Sequence, residues 1–329
     1  MGKRVVVATH GHCFDGMASA VIFTRLARHL DPEINSLGYR TMGYGPGHNG
    51  VDAKVMDGDE NAILDYRFSP SEKLTWYFDH HVSAFPGETD RATFAARAEQ
   101  HPERFFHDGT YGSCTKLIAD IGKAKFGFEA PELKSLIEWA DMIDTASFPN
   151  ARMPVERAHP VLKLMTVVEH SGDDNFMSKM VPRFLMQSLE DIARSNEIER
   201  AYAPLAKEHA KYVELVKTNS QPQGQVVFVD LSESVVDVAG KFVTYALYPE
   251  SVYSVVLSRS TSKCKISVGY NPWCGVERQH NIAKICERYQ GGGHPVVGAI
   301  STLAGDLEKA RTIAREVVEE LSAPPVLAA

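Results

Sequence analysis

Residues 4–8 (RVVVA) form a run of β-branched positions with no polar alternation, the pattern of a central strand, and residues 15–30 (DGMASAVIFTRLARHL) then repeat apolar positions at helical spacing. Two further short apolar runs follow, VDAKVM (51–56) and KLTWYF (73–78). Residues 113–127 (SCTKLIADIGKAKFG) and 131–143 (PELKSLIEWADMI) read as helices, the second with Pro131 in its first turn. This alternation predicts a parallel sheet covered by helices. From 154 to 217 strand signals vanish and helix follows helix, interrupted at Pro204. The most polar, turn-rich stretch is TNSQPQG (218–224), which predicts a domain boundary. Beyond it, 225–231, 253–260 and 263–270 read as strands, and 280–290 and 308–321 as helices.

A chain of 329 residues exceeds what one core usually supports, so two domains are expected. With 44% hydrophobic and 23% charged residues it belongs among folded globular proteins, not disordered or membrane chains. The apolar run near the N-terminus stops after five residues, too short for a signal-peptide core or a membrane span, and predicts a cytoplasmic protein with no membrane partner. Five cysteines without a C-x-x-C pair predict reduced thiols. A net charge of -7 argues against coating long duplex nucleic acid. Between residues 251 and 299, however, six cationic side chains face two acids, an excess that suits a small anion.

Ligands of parallel α/β sheets gather at the carboxyl ends of strands. Here those ends are consistently acidic or imidazole-bearing. The first strand runs into His10, His12 and Asp15; AIL runs into Asp65; LTWYF runs into Asp79, His80 and His81; and the helix IEWADMIDTA supplies Asp141 and Asp144. Any one of them alone reads as a surface or capping group. So many acids at one edge repel unless cations neutralise them, and mixed Asp and His ligands suit Mn, Fe or Zn better than Ca. Two such ions about 3.5 to 4 Å apart is the arrangement used in phosphoryl chemistry.

The chain resembles the DHH phosphoesterase superfamily, through THGHCFDGMASA (9–20), ILDYRFSP (63–70), FDHH (78–81), DMIDTASF (141–148) and GGGHPVVGA (291–299), in the family's order. The resemblance implies an α/β fold: an N-terminal α/β/α DHH domain with a parallel sheet (1–190), a helical connector and linker (191–224), and a smaller C-terminal α/β domain with a mixed sheet that binds substrate (225–329). It implies that His10, Asp15, Asp65, His80 and Asp144 ligate metal, with Asp65 as the bridge. His81 would face the substrate phosphate and Asp79 would orient a histidine ring. Gly291, Gly292, Gly293 and His294 would form a phosphate-binding loop, with Arg259 near it as a clamp on a second phosphate.

The expected activity is metal-dependent hydrolysis of phosphate esters of small nucleotides, such as pAp, short single-stranded oligonucleotides or linear dinucleotides, by in-line attack of a metal-bound hydroxide. The expected cofactor is Mn2+, one or two ions. Alternatives are an exopolyphosphatase or pyrophosphatase-like hydrolase and a weakly catalytic nucleotide-binding or sensing protein, and the resemblance leaves a homodimer open. One position departs from the pattern, since Cys13 stands where the family has the first of two Asp residues. Cys13 or His12 as ligand would favour Zn2+ or Fe2+. Cys13 as nucleophile, with His10 or His12 as base, is a rival that leaves the acids idle. GYGPGHNG (43–50) contains proline and leads into no helix, so it reads as a loop, not a dinucleotide fingerprint. Tyr270 and Trp273 read as base-stacking or as core aromatics.

Overall fold

A computed structural model describes residues 2–44, 50–235, 240 and 242–323. By contact the chain divides into two compact units, Met1–Ser147 with Ala158–Ala203, and Phe148–Arg157 with Pro204–Ala329. The division falls at Pro204. Among the described residues no helix is long and apolar enough to cross a membrane.

The first unit opens with β1 (Lys3–His10), α1 (Phe14–Leu30), β2 (Ile34–Met42), β3 (Glu60–Leu64), β4 (Trp76–Asp79), α2 (Glu88–Gln100) and β5 (Phe105–His107). Helices α3 (Cys114–Phe126) and α4 (Lys134–Asp144) follow. The sheet order is β2-β1-β3-β4-β5 and every pairing is parallel. Both faces are buried, as parallel sheets require. On one face Ala8, Ile63, Tyr77 and Phe105 lie on one rung and pack with Phe94 and Ala98 of α2. On the other, Phe23 of α1 meets Trp76 and Phe78 edge to face.

Not every apolar run became a strand. Residues 51–56 form a turn closed by Val55 N–H on the Asp52 carbonyl, with the Asp52 carboxylate accepting from Lys54 N–H. Val51 and Met56 are its buried anchors, and the side-chain bond within the turn wins over extension. Residues 45–49 of the glycine-rich stretch 43–50 lie outside the described residues.

As the pattern predicts, helices fill the next stretch: α5 (Arg152–Glu156), α6 (Pro160–Ser171), α7 (Asp174–Phe184), α8 (Leu189–Ala193) and α9 (Asn196–Thr218), the last running on through Pro204, where an interruption was expected. The second unit continues with β6 (Ser220–Gln223), β7 (Val226–Val235), α10 (Val243–Leu247), β8 (Tyr253–Arg259), β9 (Lys263–Tyr270), α11 (Ile282–Glu287), β10 (Gly292–His294), β11 (Val297–Leu303) and α12 (Leu307–Ser322). The mixed sheet runs β10-β11-β9-β8-β7-β6, with β7 and β8 parallel. Its core joins Val255, Leu257, Ile266, Val268 and Ile300 to Ile282 and Ile285 of α11 and to Ala314 and Val317 of α12. The polar stretch 218–224 is not a plain linker. Its middle is edge strand β6, hairpinned to β7 around Gly224 at φ 60, and Pro222 is tolerated because an edge strand leaves half its backbone unpaired.

Candidate metal centre

The chain leaves β1 towards β2 on one side and returns to β3 on the other, so the carboxyl ends of β1 and β3 flank a topological switch point. His10 is the last residue of β1 and Asp65 follows β3, while Asp79 ends β4 with His80 and His81 after it. Asp15 lies in the first turn of α1 and Asp144 ends α4. Gly16 lets α1 start so close, because a Cβ there would stand 2.2 Å from the His10 carbonyl oxygen. The absence of a side chain thus serves the chain's own packing.

These side chains converge on Asp65. Its Oδ2 lies 3.8 Å from His10 Nδ1, and its Oδ1 lies 3.5 Å from His80 Nε2 and 3.7 Å from His81 Nδ1. His80 Nε2 is also 3.4 Å from Asp144 Oδ2 and 3.8 Å from Asp15 Oδ2. Among the described residues donor atoms fall into three groups, His10 with Cys13 and Asp65, Asp65 with His80 and His81, and Asp15 with His80 and Asp144, each within 4.8 Å.

The supports are local. His80 Nδ1 pairs with the Tyr111 carbonyl at 3.1 Å, which aims Nε2 at the acids. Asp79, fully buried, holds His81 Nδ1 at 2.8 Å and accepts from the Tyr77 hydroxyl at 3.1 Å. Asp15 accepts from Cys114 N–H at 2.7 Å and Thr115 N–H at 3.0 Å, the first amides of α3, so a helix N-terminus carries part of its charge.

Asp65 is 1% exposed, and both its carboxylate oxygens and His80 Nε2 lack a hydrogen-bond partner among the described residues. Burial first, then the Asp15 charge, push the Asp65 carboxyl well above the usual carboxylate range. Leaving such a carboxylate ionised without a cation costs on the order of several kcal/mol. Burial and the His81 charge bring His10 down to about 4, the neutral imidazole that a metal takes. For His81 burial lowers the value, but the Asp79 bond and charge outweigh it and the net shift is upward. Orphaned oxygens, a neutral imidazole and mixed oxygen and nitrogen donors fit divalent transition ions or Mg2+. Asp65 adopts the left-handed conformation at φ 55, and His12 and Ala146 do so nearby. Strain of this kind gathers at functional sites.

No family model matches the chain, and no curated protein does. Solved structures do. A pGpG-specific phosphodiesterase from Vibrio cholerae matches with a TM-score of 0.67 at 16% identity, over 96% of this chain and 99% of that one. A DHH domain from a member of a family of ribosomal proteins matches at 0.52 and 12%, over 98% and 88%. RecJ from Thermus thermophilus, solved with Mn2+, matches at 0.55 and 12%, over 98% of this chain and 53% of that one. The chain has the DHH fold.

Within the DHH fold the structure brings together His10, Asp15, Asp65, Asp79, His80, His81 and Asp144. Asp141 is used differently, accepting from the Ser113 hydroxyl at 3.1 Å. His12 is exposed, with its Nδ1 3.2 Å from the Glu169 carbonyl, and among the described residues it joins none of the donor groups. Cys13 joins one. Burial and then the charges of Asp65 and Asp15 raise its thiol well above the ordinary value, the reverse of an activated nucleophile.

In the second unit Gly292–His294 form edge strand β10, not an open loop, with Gly293 at φ 151 pressed against the Val297 carbonyl. Arg259 does not adjoin it. It ends β8, with β11 and β9 lying between that strand and β10, on the Cys264–Thr302 rung, whereas His294 lies on the Val297–Gly269 rung. Lateral spacing alone is roughly 14 Å, so Arg259 cannot clamp a phosphate beside His294. Trp273 donates to the Phe148 carbonyl and packs on Phe242 and Tyr245, as a structural aromatic.

Sequence reasoning missed Tyr77, Tyr111 and the α3 amides that hold the acids and histidines. It also missed an aromatic stack beside His10, in which Tyr44 meets His10 at 5.0 Å and Tyr66 at 4.8 Å, with Arg67 over its ring at 5.0 Å. The segment DGTYGSC (108–114) carried a signal, a polar turn leading into a capped helix.

Proposed function

We propose that the protein is a metal-dependent phosphoesterase acting on a small nucleotide, a linear dinucleotide or short single-stranded oligonucleotide, with Mn2+ as cofactor. The observation that carries this is the buried Asp65 carboxylate, without a hydrogen-bond partner among the described residues and with imidazoles at either oxygen. Supporting the substrate class, the Vibrio cholerae protein of like fold is described as pGpG-specific.

His10, Asp65, Asp15, His80 and Asp144 would hold the ions, which supply positive charge for phosphoryl transfer. Asp65 reaches both sides of the cluster. His81 acts on substrate. With Nδ1 on Asp79, its Nε2 is the ring atom left to donate to a phosphate oxygen, and its raised pKa keeps the proton available. Asp79 orients that ring and stabilises its charged form.

The test is a hydrolysis screen of pGpG, pAp, short oligonucleotides, pyrophosphate and polyphosphate in Mn2+, repeated with chelator. Turnover of a dinucleotide that chelation abolishes and Mn2+ restores is expected. Turnover of polyphosphate alone would overturn the substrate class, and hydrolysis indifferent to chelation would overturn the reaction.

A further inference from the structure

We propose that Cys13 is itself a metal ligand, making one side of the centre a mixed sulfur, nitrogen and oxygen site that selects a thiophilic ion such as Zn2+, Fe2+ or Co2+. The inference deepens the metal-dependent reading above and rests on it.

The donor atoms of Cys13, His10 and Asp65 lie within 4.8 Å of one another. Independently of the thiol, Asp65 points to an ion there. It is 1% exposed, and its Oδ2, which faces His10, has no hydrogen-bond partner among the described residues. The backbone explains why the sulfur faces in. His12 takes the left-handed conformation at φ 54 and is exposed with its ring at the Glu169 carbonyl, so the chain turns and delivers the next side chain to the cluster. The other cysteines do not compete. Cys114 donates to the Phe78 carbonyl at 3.3 Å, Cys274 lies 3.1 Å from the Asn271 carbonyl, and Cys264 and Cys286 lie in the core of the second unit.

The far side of Asp65 differs in chemistry. There Asp15, His80, His81 and Asp144 offer only oxygen and nitrogen. Soft thiolate favours Zn2+, Fe2+ or Co2+, whereas carboxylate and imidazole accept Mn2+ and Mg2+. Two ions of unlike preference would therefore share one carboxylate. Binding at the sulfur side replaces the S–H bond with a metal–sulfur bond and releases that proton to solvent.

The probe is Co2+ added to the metal-free protein, read as the sulfur-to-cobalt charge-transfer band in the near ultraviolet. The band is expected to saturate in the wild type, to vanish in Cys13→Ser and to be absent in Cys13→Asp, which should bind Mn2+ more tightly than the wild type. The unaltered protein loaded with Zn2+ should show, by X-ray absorption, a sulfur neighbour at about 2.3 Å. This second measurement decides the matter should either variant fail to fold. A wild type with no sulfur band and no sulfur neighbour, or a band that persists in Cys13→Ser, would overturn the inference. Neither readout needs turnover. Hydrolysis without sulfur coordination sinks this inference alone, and sulfur coordination without hydrolysis sinks the proposed activity alone.

Discussion

Asp65 combines a left-handed backbone, burial and two oxygens without a hydrogen-bond partner among the described residues. Because its folded pKa is raised, Asp65 destabilises the metal-free fold fully above that folded value, and the penalty shrinks as pH falls below it, vanishing only near the ordinary carboxylate value. Asp65→Asn is therefore expected to raise metal-free stability at neutral pH by about 1–4 kcal/mol, and thermal melts should show variant and wild type converging as pH falls from the folded pKa towards the ordinary carboxylate value. The same variant should lose stabilisation by Mn2+. His81 supplies a second pH signature. The Asp79 carboxylate raises its pKa against the opposing effect of burial, so Asp79→Asn should lower it. A proton donor must be charged, so the alkaline limb of the pH–rate profile should move to lower pH in that variant, with kcat down roughly 10²-fold. A limb that stays in place would remove His81 from the chemistry. These roles were partly legible in the sequence, since acids and histidines at strand ends stand out. The holders were not, because a tyrosine carbonyl or a helix amide carries no side-chain signature.

At the scale of elements, β1 and α1 were legible because Val5, Val6 and Val7 are all buried and the whole first half of α1 is core. Strand β2 was not, since its residues INSLGYRTM alternate poorly and only Ile34 and Tyr39 are buried. Helix α2 has no fully buried residue and packs on the sheet only through half-buried Phe94 and Ala98, too short an apolar stripe to stand out. Strand β6 sits on an edge, where polar residues and Pro222 are permitted. In these elements tertiary pairing decides what local pattern does not. The join between β1 and α1 is the one that sets His10 against Asp15, two of the proposed ligands. Gly16→Ala places a methyl 2.2 Å from the His10 carbonyl, so the helix must shift and carry Asp15 with it. A loss of about 1–3 kcal/mol in denaturant unfolding is expected, together with weaker Mn2+ binding by calorimetry. An unchanged Mn2+ affinity would mean that Asp15 is not a ligand.

For the whole molecule, all the proposed ligands lie in the first unit, as do the donor groups found among the described residues. Scanning calorimetry is expected to resolve two transitions, of which Mn2+ raises one and chelation lowers the same one. The second unit resembles the sequence expectation in its mixed sheet and closing helix, while the register that separates Arg259 from His294 could be known only once strands were paired. All of it turns on ions at Asp65. The most direct measurement is anomalous diffraction at the manganese edge from crystals grown with Mn2+. The account predicts a peak about 2.0–2.2 Å from Asp65 and His80 ligand atoms. Crystals in saturating Mn2+ with no anomalous peak within reach of Asp65 would contradict it.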